Sequence, residues 1–350
     1  MMMEFDDRKK SILKAVILSY IKTALPVGSQ TITRTFDFGV SPATIRNIMA
    51  DLEEDGFLAQ PHPSAGRIPT EKGYRFYVNT LLEEAAFLKN QDKIFRQTEK
   101  LARRDDTRAL LQDTSKLLSE LSQYTAIVTA PRIKAAKIKH LEFIRLRNRC
   151  VMAISVSEEG FIQNKIFEIP KDLSQKELNR TADYLNTFYE GLTLQEVRRK
   201  LLKQMQKVKD LYDHLLGEAL ELTKRVIMNP PGGEPFGEVY LEGATRMLDL
   251  PEFSDIHLIK GLLSAFEEKG VIVQLLDQYN GADGVQVFIG AEHPFLRDHH
   301  CSLVVSNYKR GDQVLGALGV IGPTRMEYAK VISLVDSTAK QVSRILEESP

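Results

Sequence analysis

The run Val40-Ser41-Pro42-Ala43-Thr44-Ile45-Arg46 constrains this chain more than any other. Ser41 offers the hydroxyl of a helix N-cap, and Pro42 falls at the first helical position, where its missing N–H costs nothing. Apolar residues at 45, 48, 49 and 52 carry the helix to about Asp55, and Gly56 supplies the stop. Upstream, Ile12, Leu13, Val16, Ile17, Tyr20 and Ile21 recur at three- and four-residue steps, which predicts an amphipathic helix. Pro26-Val27-Gly28 ends it. A short helix is expected from Ser29, read as its N-cap, to Thr35, with a turn at Asp37-Phe38-Gly39. Helices in this order predict a helix-turn-helix.

At 100° per residue, the third helix places Ile45, Ile48, Met49 and Leu52 on one stripe. Ala43, Asn47 and Ala50 lie opposite, flanked by Thr44 and Arg46. Small residues permit close approach to a major groove. Asn pairs with adenine, and Arg with guanine or phosphate. The acidic far end, Asp51 to Asp55, is expected to point away from phosphates. Phe57 to Gln60 and Ile68 to Thr70 then read as two short strands around Pro61-His62-Pro63-Ser64-Ala65-Gly66-Arg67, a hairpin wing with Arg67 near its tip. Residues 1–80 hold ten basic and nine acidic side chains, so the motif rather than the charge carries the inference of DNA binding. On pattern alone, a protein–protein module remains the alternative.

Beyond the wing, residues 81–104 read as a helical connector, followed by a further helix to about Gln123 and a strand at Tyr124 to Ala130. Residues 132–149 hold seven basic side chains against one acid. Arg145, Arg147 and Arg149 alternate with apolar residues on a strand whose basic face is expected to be solvated. With Val151 to Val156 and Phe161 to Ile169 it forms a three-stranded antiparallel meander. Helices are expected at Ser174–Tyr189 and Leu194 to about Ile227, the latter carrying a long apolar stripe that needs a partner. Asn229-Pro230-Pro231-Gly232-Gly233 is the clearest linker. After it come strands at Glu238–Leu241, Val271–Leu276, Val285–Ile289, Ser302–Asn307 and Val314–Ile321, a helix around His257–Glu268, and a final helix from about Arg325 to Glu347. The order fits an α+β sensor domain interrupted by another domain.

Several motifs closely resemble the heat-inducible transcription repressor HrcA family. In the first 80 residues they are Pro26-Val27-Gly28-Ser29, Val40 to Asn47, Met49 to Glu54, Gln60-Pro61-His62, Ser64 to Pro69 and Gly73-Tyr74-Arg75-Phe76-Tyr77. The later ones are Tyr240 to Gly243, Pro251-Glu252-Phe253, Cys301 to Val304 and Gly319 to Met326. The resemblance spans essentially the whole chain. It implies an α+β multidomain protein with an N-terminal winged helix-turn-helix at 1–80. A GAF-like domain at 105–131 and 233–350 would be interrupted by an inserted α/β dimerisation domain at 132–232. It further implies a non-enzymatic repressor of chaperone operons, a homodimer on an inverted-repeat operator called CIRCE, and activity promoted by the GroEL chaperonin. Base reading falls to Thr44, Arg46 and Asn47, with Ala43 on the same DNA-binding face, phosphate contact to Ser29, Gln30 and Ser41, and wing contact to His62 and Arg67. The chain departs from the family pattern at Ile48, Pro63, His293 and Ala244-Thr245-Arg246.

No catalytic signature is present, so no enzyme is expected. Gly316 to Pro323 is spaced G-x-x-G-x-x-G with no following Lys-Ser/Thr, and reads as strand packing and a turn rather than a phosphate loop. His299 and His300 are adjacent and would diverge in a strand, so the cluster His293, Asp298, His299, His300 and Cys301 is not expected to hold a metal. No cofactor is expected. Two cysteines without a staple pattern, and no leader or spanning run, point to a soluble cytoplasmic chain. A ligand-responsive regulator acting through the GAF-like part is the alternative function, and a chaperonin-bound interaction protein a third.

Overall fold

The computed structural model describes residues 7–83, 107–131, 137–147, 149–157, 162–192, 239–267 and 284–348, with positions 196, 197, 200, 272, 275 and 276. The connector beyond Glu83, most of the expected 194–227 helix and the Pro-Pro-Gly-Gly linker lie outside them.

Helices α1 (Asp7–Thr23), α2 (Ser29–Thr35) and α3 (Pro42–Glu54) are followed by β1 (Leu58–Ala59), β2 (Ile68–Pro69) and α4 (Glu71–Glu83). The boundaries of α3 have local causes. The Ser41 hydroxyl accepts the Thr44 N–H at 3.2 Å, and Gly56 takes φ +76° just past the last turn. The start of α2 differs from expectation by one residue. Gly28 is its N-cap and makes no side-chain cap bond, so Ser29 stands inside the first turn. The stripes converge: Ile12, Val16, Ile17, Ile32, Ile45 and Leu52 are all fully buried.

Helix α5 (Thr107–Ser122) leads into β3 (Thr125–Thr129). Strand β3 belongs to a five-stranded antiparallel sheet ordered β7-β3-β10-β9-β8, with β7 Val239–Glu242, β8 Gln286–Ile289, β9 Cys301–Arg310 and β10 Gln313–Pro323. Both faces are covered, and residue parity assigns them. Ala126, Val128, Val304 and Leu318 pack in one cluster with α5, α9 (Tyr328–Glu348) and the first three helices. Ile127, Leu303, Val305 and Ala317 pack in another with α7 (Ile256–Glu267), α8 (Pro294–Asp298) and two short 3-10 turns at 244–249 and 251–253. The strand expected at Val271–Leu276 is absent at its described residues. Ile272, Leu275 and Leu276 are helical and buried. Their spacing of three and four suits a helix, and the β-branched residues there misdirected the reading.

Between Thr129 and Val239 the chain leaves this sheet. It forms a meander of β4 (Ile138–Arg147), β5 (Cys150–Ser157) and β6 (Ile162–Glu168), backed by α6 (Gln175–Tyr189). Ser174 and Glu177 form a reciprocal capping box at the start of α6. Phe143, Val151 and Phe167 pack against Leu178 and Leu185. Away from that core, Leu146, Ile162 and Ile166 are exposed. Part of the basic surface of β4 is engaged within the meander unit. Arg145 Nε donates to Asp172 at 3.1 Å, holding that carboxyl below the usual range, and Arg149 Nε donates to the Ile169 carbonyl at 3.0 Å.

Buried ionisable groups give the fold an alkaline limit. Burial pushes the Cys301 thiol and the Tyr77 hydroxyl each up to about 12, and raises Tyr74 and Tyr328 as well. These groups are neutral when protonated, so the fold favours their protonated forms. The stability they contribute is whole below about pH 9, where the unfolded thiol begins to ionise, and is lost as pH rises toward 12. Denaturation midpoints are therefore expected to fall monotonically from pH 9 upward. A Tyr77→Phe variant is expected to show a shallower fall, and an equal slope would show that this hydroxyl does not couple to folding.

Candidate nucleic-acid interface

The outer side of α3 is presented as a continuous face. Ala43, Thr44, Arg46 and Asn47 are exposed, while Ile45, Met49 and Leu52 on the opposite side are at most 1% exposed. The exposed residues lie in the first two turns, where backbone N–H groups and the positive end of the helix dipole also face outward. The acidic end is held from the other side: Lys9 of α1 pairs with Asp51 at 3.2 Å and Asp55 at 3.7 Å. Ile48 is only half-buried and borders the core.

Ser41 and Thr44 share a hydroxyl contact at 3.0 Å, so both are engaged at the helix start. Ser29 and Gln30 stand in the first turn of α2, half-buried and exposed respectively. His62 is exposed in the loop of the wing.

Arg67 is placed differently from expectation. It lies beside β2 at the foot of the wing, not near its tip. Its backbone exchanges two 2.9 Å hydrogen bonds with Val27. Its guanidinium binds Glu53 of α3 through Nε at 3.0 Å and Nη2 at 2.9 Å, leaving the side chain 15% exposed. The pairing with Glu53 bridges fourteen residues of sequence, and nothing in local spacing signals it. What spacing could have revealed is Gln60. Its amide donates to the Pro63 and Ala65 carbonyls, both at 2.9 Å, and so fixes the shape of the wing loop. Lys72 does the same for the base of the hairpin, with Nζ 4.3 Å above the Phe57 ring and donating to the Asp55 carbonyl at 2.6 Å.

The other clusters read from sequence gather no chemistry. Cys301 is fully buried, its thiol donating to the His299 carbonyl at 3.2 Å. Among the described residues no group of three or more His, Cys, Asp or Glu could hold a metal ion, and no helix is long and apolar enough to cross a membrane. Gly319 sits within β10, where an added Cβ would stand 2.6 Å from the Val304 carbonyl oxygen, consistent with close strand packing.

Comparison with known proteins is consistent from end to end. The family model for the HrcA protein C-terminal domain matches residues 108–332. A relative from Geobacter sulfurreducens, named heat-inducible transcription repressor HrcA, is 45% identical over 349 residues, covering 99% of each chain. One of the same name from Syntrophobacter fumaroxidans is 40% identical over 348 residues, again covering 99% of each. Among solved structures, the crystal structure of a hypothetical protein shares the fold with a TM-score of 0.65 at 20% identity, covering 99% of this chain and 100% of that one.

Proposed function

The chain belongs to the HrcA family of heat-inducible transcription repressors, and from that premise we propose that it represses chaperone operons by binding an inverted-repeat, CIRCE-type operator as a homodimer. It is a regulator and not an enzyme. The observation that carries this reading is the exposed Ala43, Thr44, Arg46, Asn47 face of α3, set on a fully buried opposite stripe. In this reading residues 1–80 are a winged helix-turn-helix. Helix α3 enters the major groove, Ala43 allows close approach, and Thr44, Arg46 and Asn47 read base edges. Ser29, Gln30 and Ser41 contact phosphate from helix starts, and His62 contacts the backbone from the wing. Because Arg67 is committed to Glu53, its part is to fix the wing against α3, with phosphate contact secondary.

Residues 81–104 form the connector. Residues 105–131 and 233–350 form a GAF-like domain, whose strands β3 and β7 are neighbours across the excursion at 132–232. That excursion is the dimerising unit, and the exposed Leu146, Ile162 and Ile166 on its sheet support this role. Heat acts through the folded fraction: a loss of one or two kcal/mol changes the active population several-fold, and GroEL restores it.

The test is fluorescence anisotropy of the full chain on the inverted repeat and on a scramble, at one salt concentration, with and without GroEL. A specificity ratio of about 10³ or more, and a higher active fraction with GroEL, are the expected results. Equal and steeply salt-dependent binding to both duplexes would overturn sequence-specific repression.

A further inference from the structure

The N-terminal unit, α1 to α4, is joined to the sheet by more than chain continuity. Two charged clamps hold it, one at each side. On α4, Arg75 Nε donates to Glu292 Oε1 at 2.6 Å, and its Nη2 bonds both the other Glu292 oxygen and, at 2.7 Å, the Val287 carbonyl. One turn earlier, Glu71 accepts the Ala291 N–H at 3.1 Å. The receiving turn is rigid, because Glu292 also accepts the Ile289 N–H at 2.8 Å. It is also made to fit: Gly290 has φ +45°, and a Cβ there would stand 1.8 Å from a Glu71 carboxylate oxygen. On the other side, Arg325 donates to the Ile21 carbonyl at 2.5 Å, in the last turn of α1, while its fork grips both oxygens of Glu252. Between the clamps the rings of Tyr74 and Tyr328 meet at 5.8 Å.

One contact would leave a hinge. A forked charge pair from α4 to the sheet unit, and on the other side a charged donor aimed at an α1 carbonyl by its own forked pair with Glu252, fix an orientation when a ring contact lies between them. The arginine side chains are only 29% and 16% exposed, so salt screens these pairs less than surface ones.

We propose that Arg75 and Arg325 are positioning residues for operator recognition, which hold the DNA-reading unit at a set angle to the sheet and so dictate the half-site separation that two protomers can read together. This rests on the proposed function as a dimeric reader of an inverted repeat. With α3 clamped in both protomers, simultaneous docking requires one helical phase between half-sites. Without these bonds the units stay joined by the shared apolar cluster but no longer at one angle, so a wrong phase is tolerated while the gain from bivalency at the right phase shrinks.

The experiment measures the full chain against the natural operator, an operator with its spacer lengthened by about five base pairs, half a helical turn, and a single half-site. The wild type is expected to prefer the natural spacing by about 100-fold, the lower end of bivalent gain. In Arg75→Ala/Arg325→Ala the preference is expected to fall at least about tenfold, with single-half-site affinity held within about threefold. Glu292→Gln and Glu252→Gln, which keep shape and remove charge, are expected to give intermediate ratios and keep the inference testable should the double variant fail to fold. Unchanged spacing preference in folded variants would overturn the clamp, as would equal losses on all three duplexes. A wild type that does not distinguish operator from scramble, added as a fourth duplex, would instead overturn the operator reading itself.

Discussion

Replacing Arg46 and Asn47 together by alanine is expected to lower operator affinity by about 10²- to 10⁴-fold, because each well-placed bidentate pair contributes roughly 1–3 kcal/mol of discrimination. Both side chains are exposed on the outer face of α3, away from the buried Ile45–Met49–Leu52 stripe. Thermal stability is therefore expected to move by less than about 0.5 kcal/mol. Most of the loss should be in sequence preference, since these side chains are assigned to bases and not only to charge. Anisotropy titrations against operator and scramble separate the two. A variant that loses equally on both duplexes would relocate base reading to another element.

Gly66→Ala is expected to damage the reading unit severely for a single added methyl. The added Cβ would stand 2.5 Å from the Val27 carbonyl carbon, 2.6 Å from its oxygen and 2.7 Å from its nitrogen. No side chain can move aside, because every one of these atoms is backbone. The same residues, Val27 and Arg67, exchange the two hydrogen bonds that moor the foot of the wing to the segment between α1 and α2. Overpacking costs about 1–3 kcal/mol, and each of the two strained backbone bonds about 0.5–1.5 kcal/mol more, so a loss of roughly 2–6 kcal/mol is expected. Denaturant titration followed by circular dichroism would measure it. A loss below about 1 kcal/mol would mean that the wing is held by its own loop rather than by Val27.

What was legible in the sequence is what depends on neighbours along the chain. Ser41, Pro42 and Gly56 announce the ends of α3 because caps and stops act within one turn. The meander and the last helix announce themselves through period two and period 3.6. The reading face of α3 follows from the same arithmetic. Partnerships closed by tertiary packing left no such trace. Glu53 claims Arg67, Glu292 claims Arg75, and Arg325 caps α1 from the far end of the chain, each by way of the assembled fold. The stretch around Ile272 failed for a related reason: a short β-branched run serves strand or helix, and burial decided it. Ser29 missed by one residue, since Gly28 can begin a helix without a side-chain cap.

The chain's departure from the sheet after Thr129 and its return at Val239 also govern the order in which the molecule can be completed. Strand β3 emerges early in synthesis, yet both its neighbours, β7 and β10, come after the excursion. Leu318 must find Val128, and Arg325 must find Ile21, when the chain is almost finished. Pairings so distant are slow to close, and until they do Ala126, Ile127 and Val128 have no strand to cover them. A nascent chain of this topology carries exposed, aggregation-prone apolar surface for most of its time on the ribosome.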